Sequence, residues 1–391
     1  MPRKSPTIKV SPSVLTWARE SAGITLPAAA KRLGTSVETV GALEAGEKDP
    51  TLRALEILAV FYKRSLAALL LPNPPTEPPT PTDFRVLPGR ERSPLTKKTR
   101  LIIRRAQRLQ ARAGDLLEEM NAGAQVHIPR AALGADPEEL AASERNRLGI
   151  PLNQQFGWRG PYAAFRGWRA VTERLGALVF HFSMPLEDTR GFSLTNRDPP
   201  VIVVNRADVI NARIFTLFHE YAHLILHDGG LCTWDQAFRH DAIPIEKFCN
   251  HFAGAFLVPR SALHEFEFLR SRPRAQSLEE SELDSIANRF KVSKEVVWRR
   301  MRICGFISQQ AYESRLEAWQ STKPKTKRKW RPPTSSAARR ALEERGRRFS
   351  SLVIGARARD LITTRDALDF LSIPPASLRE FESALGLAEK R

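Results

Sequence analysis

Residues 215–226 read Phe-Thr-Leu-Phe-His-Glu-Tyr-Ala-His-Leu-Ile-Leu, and inside them His219, Glu220 and His223 form a His-Glu-x-x-His pattern. A helix turns once per 3.6 residues, so histidines four apart lie above one another on one face. Two imidazoles placed this way can hold one divalent ion, with zinc as the expected metal and manganese as an alternative. Glu220 lies beside them, where a carboxylate can take the proton of a water acidified by the metal. This is the chemistry of metal-assisted hydrolysis. A catalytic zinc has three protein ligands and one position left for water. Glu246, 23 residues after His223 on a predicted helix over 244–257, is the candidate third ligand. Its other reading is a helix N-terminal acid favoured by the dipole. Tyr221, Arg213, His240 and His251 are candidates for stabilising an oxyanion, and the sequence does not choose among them. His227 is assigned to capping or packing, with Asp228 as a carboxylate within its reach.

The elements that must position these groups are legible around them. The histidine helix is predicted over 212–226, covered by Leu217, Phe218, Leu224, Ile225 and Leu226. Three short apolar runs precede it, at 177–182, 190–194 and 201–205, each bounded by Gly, Pro, Asn or Asp, and these predict strands. An open strand edge next to a metal helix could take a substrate chain in extended form. Further helices are predicted over 131–150 and 160–176. Residues 279–307 have the pattern of two helices joined by a Val292-Ser293 turn. They either touch DNA through Lys294, Arg299, Arg300 and Arg302 or pack within the domain, and packing is preferred. Three more helices are predicted within 335–387.

Residues 11–71 read as a bundle of four helices in which Gly34 turns between the second and third, and Ser36 and Thr51 cap the third and fourth. Two short helices joined by a glycine turn make a helix-turn-helix. The third helix has no Arg, Gln or Asn, the usual base readers, so a bundle that binds protein is the competing reading. Pro72–Pro81 cannot sustain a helix and reads as an extended linker. Residues 97–120 predict a strongly basic helix with Lys97, Lys98, Arg100, Arg104, Arg105, Arg108 and Arg112, which is either a solvated face or a nucleic-acid contact. A second basic linker spans 323–333.

The 391 residues carry a net charge of +18, which favours an acidic partner, nucleic acid first and an anionic membrane surface second. No apolar run approaches the ~20 residues of a membrane span, and the first residues lack the apolar core of a secretion signal. The three cysteines, Cys232, Cys249 and Cys304, are odd in number and far apart, so they read as small buried hydrophobes in a reducing cytoplasm.

With these pieces in place, two resemblances emerge. "ARESAGITLPAAAKRLGTSVETVGALEAGEKDPTLRALEILAVFY" resembles the XRE (Cro/repressor-like) DNA-binding family. That resemblance places the helix after Ser36 in the major groove, with Ser36, Glu38 and Thr39 toward bases and Lys31, Arg32, Lys48 and Arg53 toward phosphates. "GFSL", "PPVIVVN", "NARIFTLFHEYAHLILH", "EKFCNHFAGAFLVPR" and "LDSIANRFKVSKEVVWRRM" resemble the ImmA/IrrE metallopeptidases. Carried over by position, His219, His223 and Glu246 correspond to that family's zinc ligands and Glu220 to its general base. Cys249 stands where the family usually has Ala, and Tyr221-Ala222 where Leu-Gly is commoner. The resemblance implies a zinc endopeptidase that cleaves a repressor-type protein and relieves repression in a stress, DNA-damage or mobile-element response. The basic helix at 97–112 and the basic tail at 323–331 add double-stranded and single-stranded DNA as expected partners that modulate activity. The alternatives are a non-catalytic regulator or an antitoxin-like protein that keeps the peptidase fold as a sensor or binding module.

The expected architecture is α+β and predominantly helical, with an all-α helix-turn-helix domain, a zincin-like domain with a small sheet, and a small helical C-terminal domain. The expected boundaries are 1–72 for the DNA-binding domain, 73–96 for a linker, 97–159 for a basic helical connector, 160–320 for the peptidase domain, 321–334 for a basic linker and 335–391 for the C-terminal domain.

Overall fold

The computed structural model describes residues 6–77, 95–123, 126–226, 242–271, 278–322 and 335–386. They divide into two compact units, one formed by 6–77 with 95–107 and the other by the residues from 108 onward. The architecture is α+β and predominantly helical, as the sequence pattern led one to expect. His227, Asp228, Cys232, His240 and the basic linker at 323–333 lie outside the described residues, as does the linker from 78 onward.

In the first unit α1 (Pro12–Ser21) opens on a proline. The next four helices each start at a hydroxyl. Thr25, Ser36, Thr51 and Ser65 accept the backbone N–H three residues on, opening α2 (Leu26–Leu33), α3 (Val37–Ala45), α4 (Leu52–Tyr62) and α5 (Leu66–Leu69). Each such cap contributes about 1 kcal/mol. Gly34 ends α2 at φ 68°, a left-handed conformation that makes the tight turn into α3. Leu15, Ala18, Val40, Leu43, Leu55 and Leu58 meet in the core. Arg19 of α1 grips Glu44 of α3 with Nε at 2.7 Å and a terminal nitrogen at 2.8 Å, so α3 is held by a nearly buried ion pair as well as by apolar packing.

Helix α6 (Lys97–Glu119) gives its first half to this unit. Its cations were expected on a solvated or phosphate-facing side. Three of them instead serve carbonyl groups. Lys97 donates to Phe61 O and lies 3.9 Å over the Phe61 ring, Arg104 donates to Tyr62 O and Lys63 O, and Arg100 donates to Glu20 O. The ends of α1 and α4 leave such carbonyls without intrahelical partners, and the long basic side chains satisfy them.

The second unit continues through α7 (Pro137–Leu148), α8 (Leu152–Gly157) and α9 (Pro161–Arg174) to β1 (Leu178–Phe182), β2 (Gly191–Leu194) and β3 (Val201–Asn205). The helix predicted from 131 starts only at Pro137, because Asp136 accepts from Glu138 N and Glu139 N and sets the N-terminus there. The sheet order is β1-β3-β2, with β1 parallel to β3 and β2 antiparallel to it. Asn205 ends β3 fully buried. Its carboxamide accepts from Met184 N and Ala207 N and donates to Met184 O and Thr189 O, tying the segment between β1 and β2 to the sheet.

Next come α10 (Ile210–Ile225) and α11 (Ala242–Leu257), packed on each other, with α10 also against α9, β2 and β3. Short helices α12 (Arg260–Leu263) and α13 (Glu267–Ser271) lead to α14 (Glu280–Phe290), α15 (Lys294–Ile303) and α16 (Gln309–Thr322). Arg300 of α15 is 1% exposed and pairs with Glu138 through both carboxylate oxygens, at 2.5 and 3.0 Å. Lys294 pairs with Glu280 and Asp284. These two cations of the second helix-turn-helix-like segment therefore serve packing. The chain closes with α17 (Ala337–Arg345), α18 (Arg347–Ala358), α19 (Thr364–Leu371) and α20 (Leu378–Leu385). Buried Glu173 binds Arg169 at 3.0 Å and accepts from Arg347 N and Arg348 N, capping α18. Gly346, at φ 75°, lets the chain pass so close that a Cβ would strike Glu173, Arg169 and the Val179 carbonyl.

Candidate metal centre

Helix α10 is apolar on nearly every side, and Leu217, Phe218, Tyr221 and Ala222 are fully buried against the core. Phe218 stacks on Phe256 of α11 with centroids 4.1 Å apart, and Trp168 of α9 meets both rings edge-on. Arg213 anchors the first turn by donating to Asp208 O and Arg206 O. Tyr221 anchors the other side. Its hydroxyl donates to Glu144 at 2.6 Å and accepts from Arg147 at 2.8 Å, and burial pushes its pKa up.

His219 and His223 emerge from this helix with their Nε2 atoms 3.2 Å apart. Glu246, from the first turns of α11, reaches both: one carboxylate oxygen stands 3.3 Å from His219 Nε2 and the other 3.4 Å from His223 Nε2. Donors about 2.0–2.1 Å from one tetrahedral centre are separated by roughly 3.3–3.4 Å, so the spacing of the two imidazoles, and of each imidazole from its nearer carboxylate oxygen, suits a zinc-sized ion. The three residues can hold a metal ion, and their ligand atoms all lie within 4.8 Å of one another. Burial alone would raise the Glu246 carboxyl, but hydrogen bonds to His219 and His223 and the attraction of those rings hold it far below the usual carboxylate range. It is thus a ready anion. Cys249, one turn after Glu246, is fully buried beside His223, and burial raises its thiol pKa.

Glu220 is buried as well. Gly191 of β2 lies beside it, and a Cβ there would lie 3.4 Å from Glu220 Oε1. Nothing in the spacing of the sequence pointed to Gly191. The signal was the glycine itself at the start of a short apolar run. Of the oxyanion candidates, Arg213 and Tyr221 are held by the groups named above, and His251 Nε2 lies 2.7 Å from Glu138.

The expected DNA-facing residues lie in the first unit. Lys31, Arg32, Ser36, Glu38, Lys48 and Arg53 are exposed, and Thr39 is half-buried. Ser36 Oγ accepts from Thr39 N and lies 3.2 Å from the Thr39 hydroxyl, so both of these side chains also serve the cap of α3. The Glu38 carboxyl is held low by its own backbone N–H and by Ser36.

Residues 172–302 match the family model described as the IrrE N-terminal-like domain of the M78 peptidases, and residues 13–70 match the model of a helix-turn-helix domain. The chain joins a helix-turn-helix domain to an IrrE-like domain. The IrrE-like match runs from α9 through α15 and includes the whole sheet, both histidines and Glu246. It identifies this part as a metallopeptidase-type domain, and the other match as a DNA-binding domain. A search of curated proteins returned no match to the chain. No helix among the described residues is long and apolar enough to cross a membrane.

Proposed function

We propose that this protein is a zinc-dependent endopeptidase carried on a DNA-binding domain, and that it cuts a regulatory protein of the repressor type. The observation that carries this reading is the convergence of His219, His223 and Glu246, with Glu220 next to them on the same helix. His219 and His223 would hold the ion through Nε2, and Glu246 through its carboxylate. When bound, zinc, or manganese in its place, would acidify a water and polarise a peptide carbonyl. Glu220 takes the proton of the attacking water and returns it to the leaving amine. Gly191, with no side chain, leaves the Glu220 carboxylate approachable from β2.

The strand itself offers the substrate a track. Asn205 N donates to Arg190 O, which fixes the alternation so that Phe192 and Leu194 pair with β3. The backbone groups of Ser193 then face away from β3, where an extended peptide can add alongside. Thr189 Oγ accepts from Gly191 N and donates to Gly191 O, closing the track one step earlier.

The helix-turn-helix domain would bring the peptidase to DNA in the cytoplasm, with Ser36, Glu38 and Thr39 near bases and Lys31, Arg32, Lys48 and Arg53 on phosphates. Relief of repression in a stress, DNA-damage or mobile-element response is the output this reading implies. Replacing Glu220 by Gln tests it. The variant should keep its metal, measured on purified protein, and lose cleavage by about 10²–10⁴-fold. In cells, a repressor fragment should accumulate with the native chain and not with the Glu220→Gln chain. Equal fragment levels from both would end the peptidase reading.

A further inference from the structure

The C-terminal helices meet α9 and β1 at a cavity of about 470 Å³. That is the size of a small-molecule site. Arg174, Arg347, Arg348 and Ser351 line it together with Leu117 and Leu178. Arg174 and Arg347 are exposed at its rim, and Arg348 is half-buried.

Three arginines lining one cavity call for an anion. The one carboxylate among the described residues lining the cavity, Glu173, is already committed to Arg169 and to the N–H groups that open α18. Among the described residues, Arg347 and Arg348 donate from their side chains to backbone carbonyls, those of Leu385 and Glu173. Among the described residues no carboxylate forms an ion pair with Arg174, Arg347 or Arg348. Burial works against the charge of Arg348 and lowers its pKa, with Glu173 opposing it.

We propose that this cavity binds a nucleoside monophosphate, its phosphate on Arg174, Arg347 and Arg348 and its base against Leu117 and Leu178. Guanidinium forks match the several oxygens of a phosphate, and a flat base suits apolar walls better than a sugar or a bare ion does. The ligand would touch α9 and β1 of the IrrE-like domain and α18 of the C-terminal helices at once, so occupancy would stabilise their docking. This site lies apart from the metal centre and does not depend on the peptidase reading.

Calorimetric titration of the full chain with AMP, adenosine and inorganic phosphate tests the proposal. AMP should bind at least about tenfold more tightly than either fragment alone, since each supplies only half the contacts. Arg174→Glu, an exposed substitution whose folding is checked by circular dichroism, should weaken AMP at least about tenfold, and Arg348→Gln should do likewise. The proposal is overturned if AMP gives no binding at millimolar concentration, if it binds no better than phosphate, or if Arg174→Glu leaves its affinity unchanged. It is also overturned if a short DNA duplex loses as much affinity in Arg174→Glu as AMP does, which would assign the arginines to a nucleic-acid surface.

Discussion

Replacing Gly191 by Ala should disturb the centre without touching any ligand. A Cβ at this position would lie 2.5 Å from Thr216 Cγ2 and 2.8 Å from Val203 O, and would come against Glu220 Oε1 at 3.4 Å. Carbon atoms prefer separations of about 3.5–4.0 Å. Thr216 is fully buried on α10, and Val203 O belongs to the backbone of the paired strand. Neither can yield easily, so β2 must shift outward. Overpacking of this kind costs about 1–3 kcal/mol. A cost near 2 kcal/mol corresponds to a roughly thirtyfold loss of hydrogen-exchange protection at the amides shared by β2 and β3. The shift also moves the peptide track relative to Glu220, and a displacement approaching 1 Å would lower turnover by about 100-fold. Thr216→Ser removes the methyl and leaves the carbonyl clash, so the penalty should fall by about 1 kcal/mol in that background. Unchanged protection in Gly191→Ala, or an equal penalty with Thr and Ser at 216, would refute the reasoning.

Three further outcomes follow from the geometry. Glu246→Ala should weaken metal binding by more than about 100-fold, beyond what losing an outer partner costs; competition against a fluorescent chelator measures this, and unchanged affinity would remove Glu246 from the ligand set. Burial alone would raise the Glu138 carboxyl, but hydrogen bonds to His251 and Arg300 and the Arg300 charge bring it from 4.5 to about 2. A carboxylate depressed in the folded state stabilises above its unfolded pKa, and that contribution is lost as pH falls from about 5 toward 2. With the Glu138 side chain 31% exposed, the contribution should be about 2 kcal/mol after screening, and acid-unfolding curves of Glu138→Gln should lack this part of the native pH dependence. Glu173→Gln leaves buried Arg169 without its counter-charge, at about 3 kcal/mol; hydrogen exchange in α18 should rise about 100-fold, and native-like protection would contradict the role given to Glu173.

Much of this fold could be read from the chain because local signals agreed. Ser36 and Thr51 stand where helices begin and Gly34 where one turns back, and the three apolar runs before α10 became its three strands. The approach of the two histidines was implicit in their spacing. The position of Glu246 was not, because it depends on how α11 packs across α10, a fact of tertiary structure. Short helices α5 and α8 escaped notice because four and six residues carry too little periodicity to register. The basic stretch of α6 was only partly legible, for another reason. Charge density does not reveal whether a lysine meets a phosphate or, as Lys97 does, the carbonyl ending another helix. Arg300 raised the same ambiguity, and Glu138, 162 positions away in the chain, resolves it.

The mooring at Asn205 has a consequence for how such a domain can change its tastes. The stretch 183–190 delivers Gly191 to the side of Glu220, yet it has little regular structure of its own, and the Asn205 carboxamide ties its two ends, at Met184 and Thr189, to the sheet. Its length and composition can therefore drift, reshaping what lies beside the cleft, while the metal donors stay untouched. An aspartate of the same shape at 205 would forfeit both donated hydrogens and loosen that stretch at Met184 and Thr189.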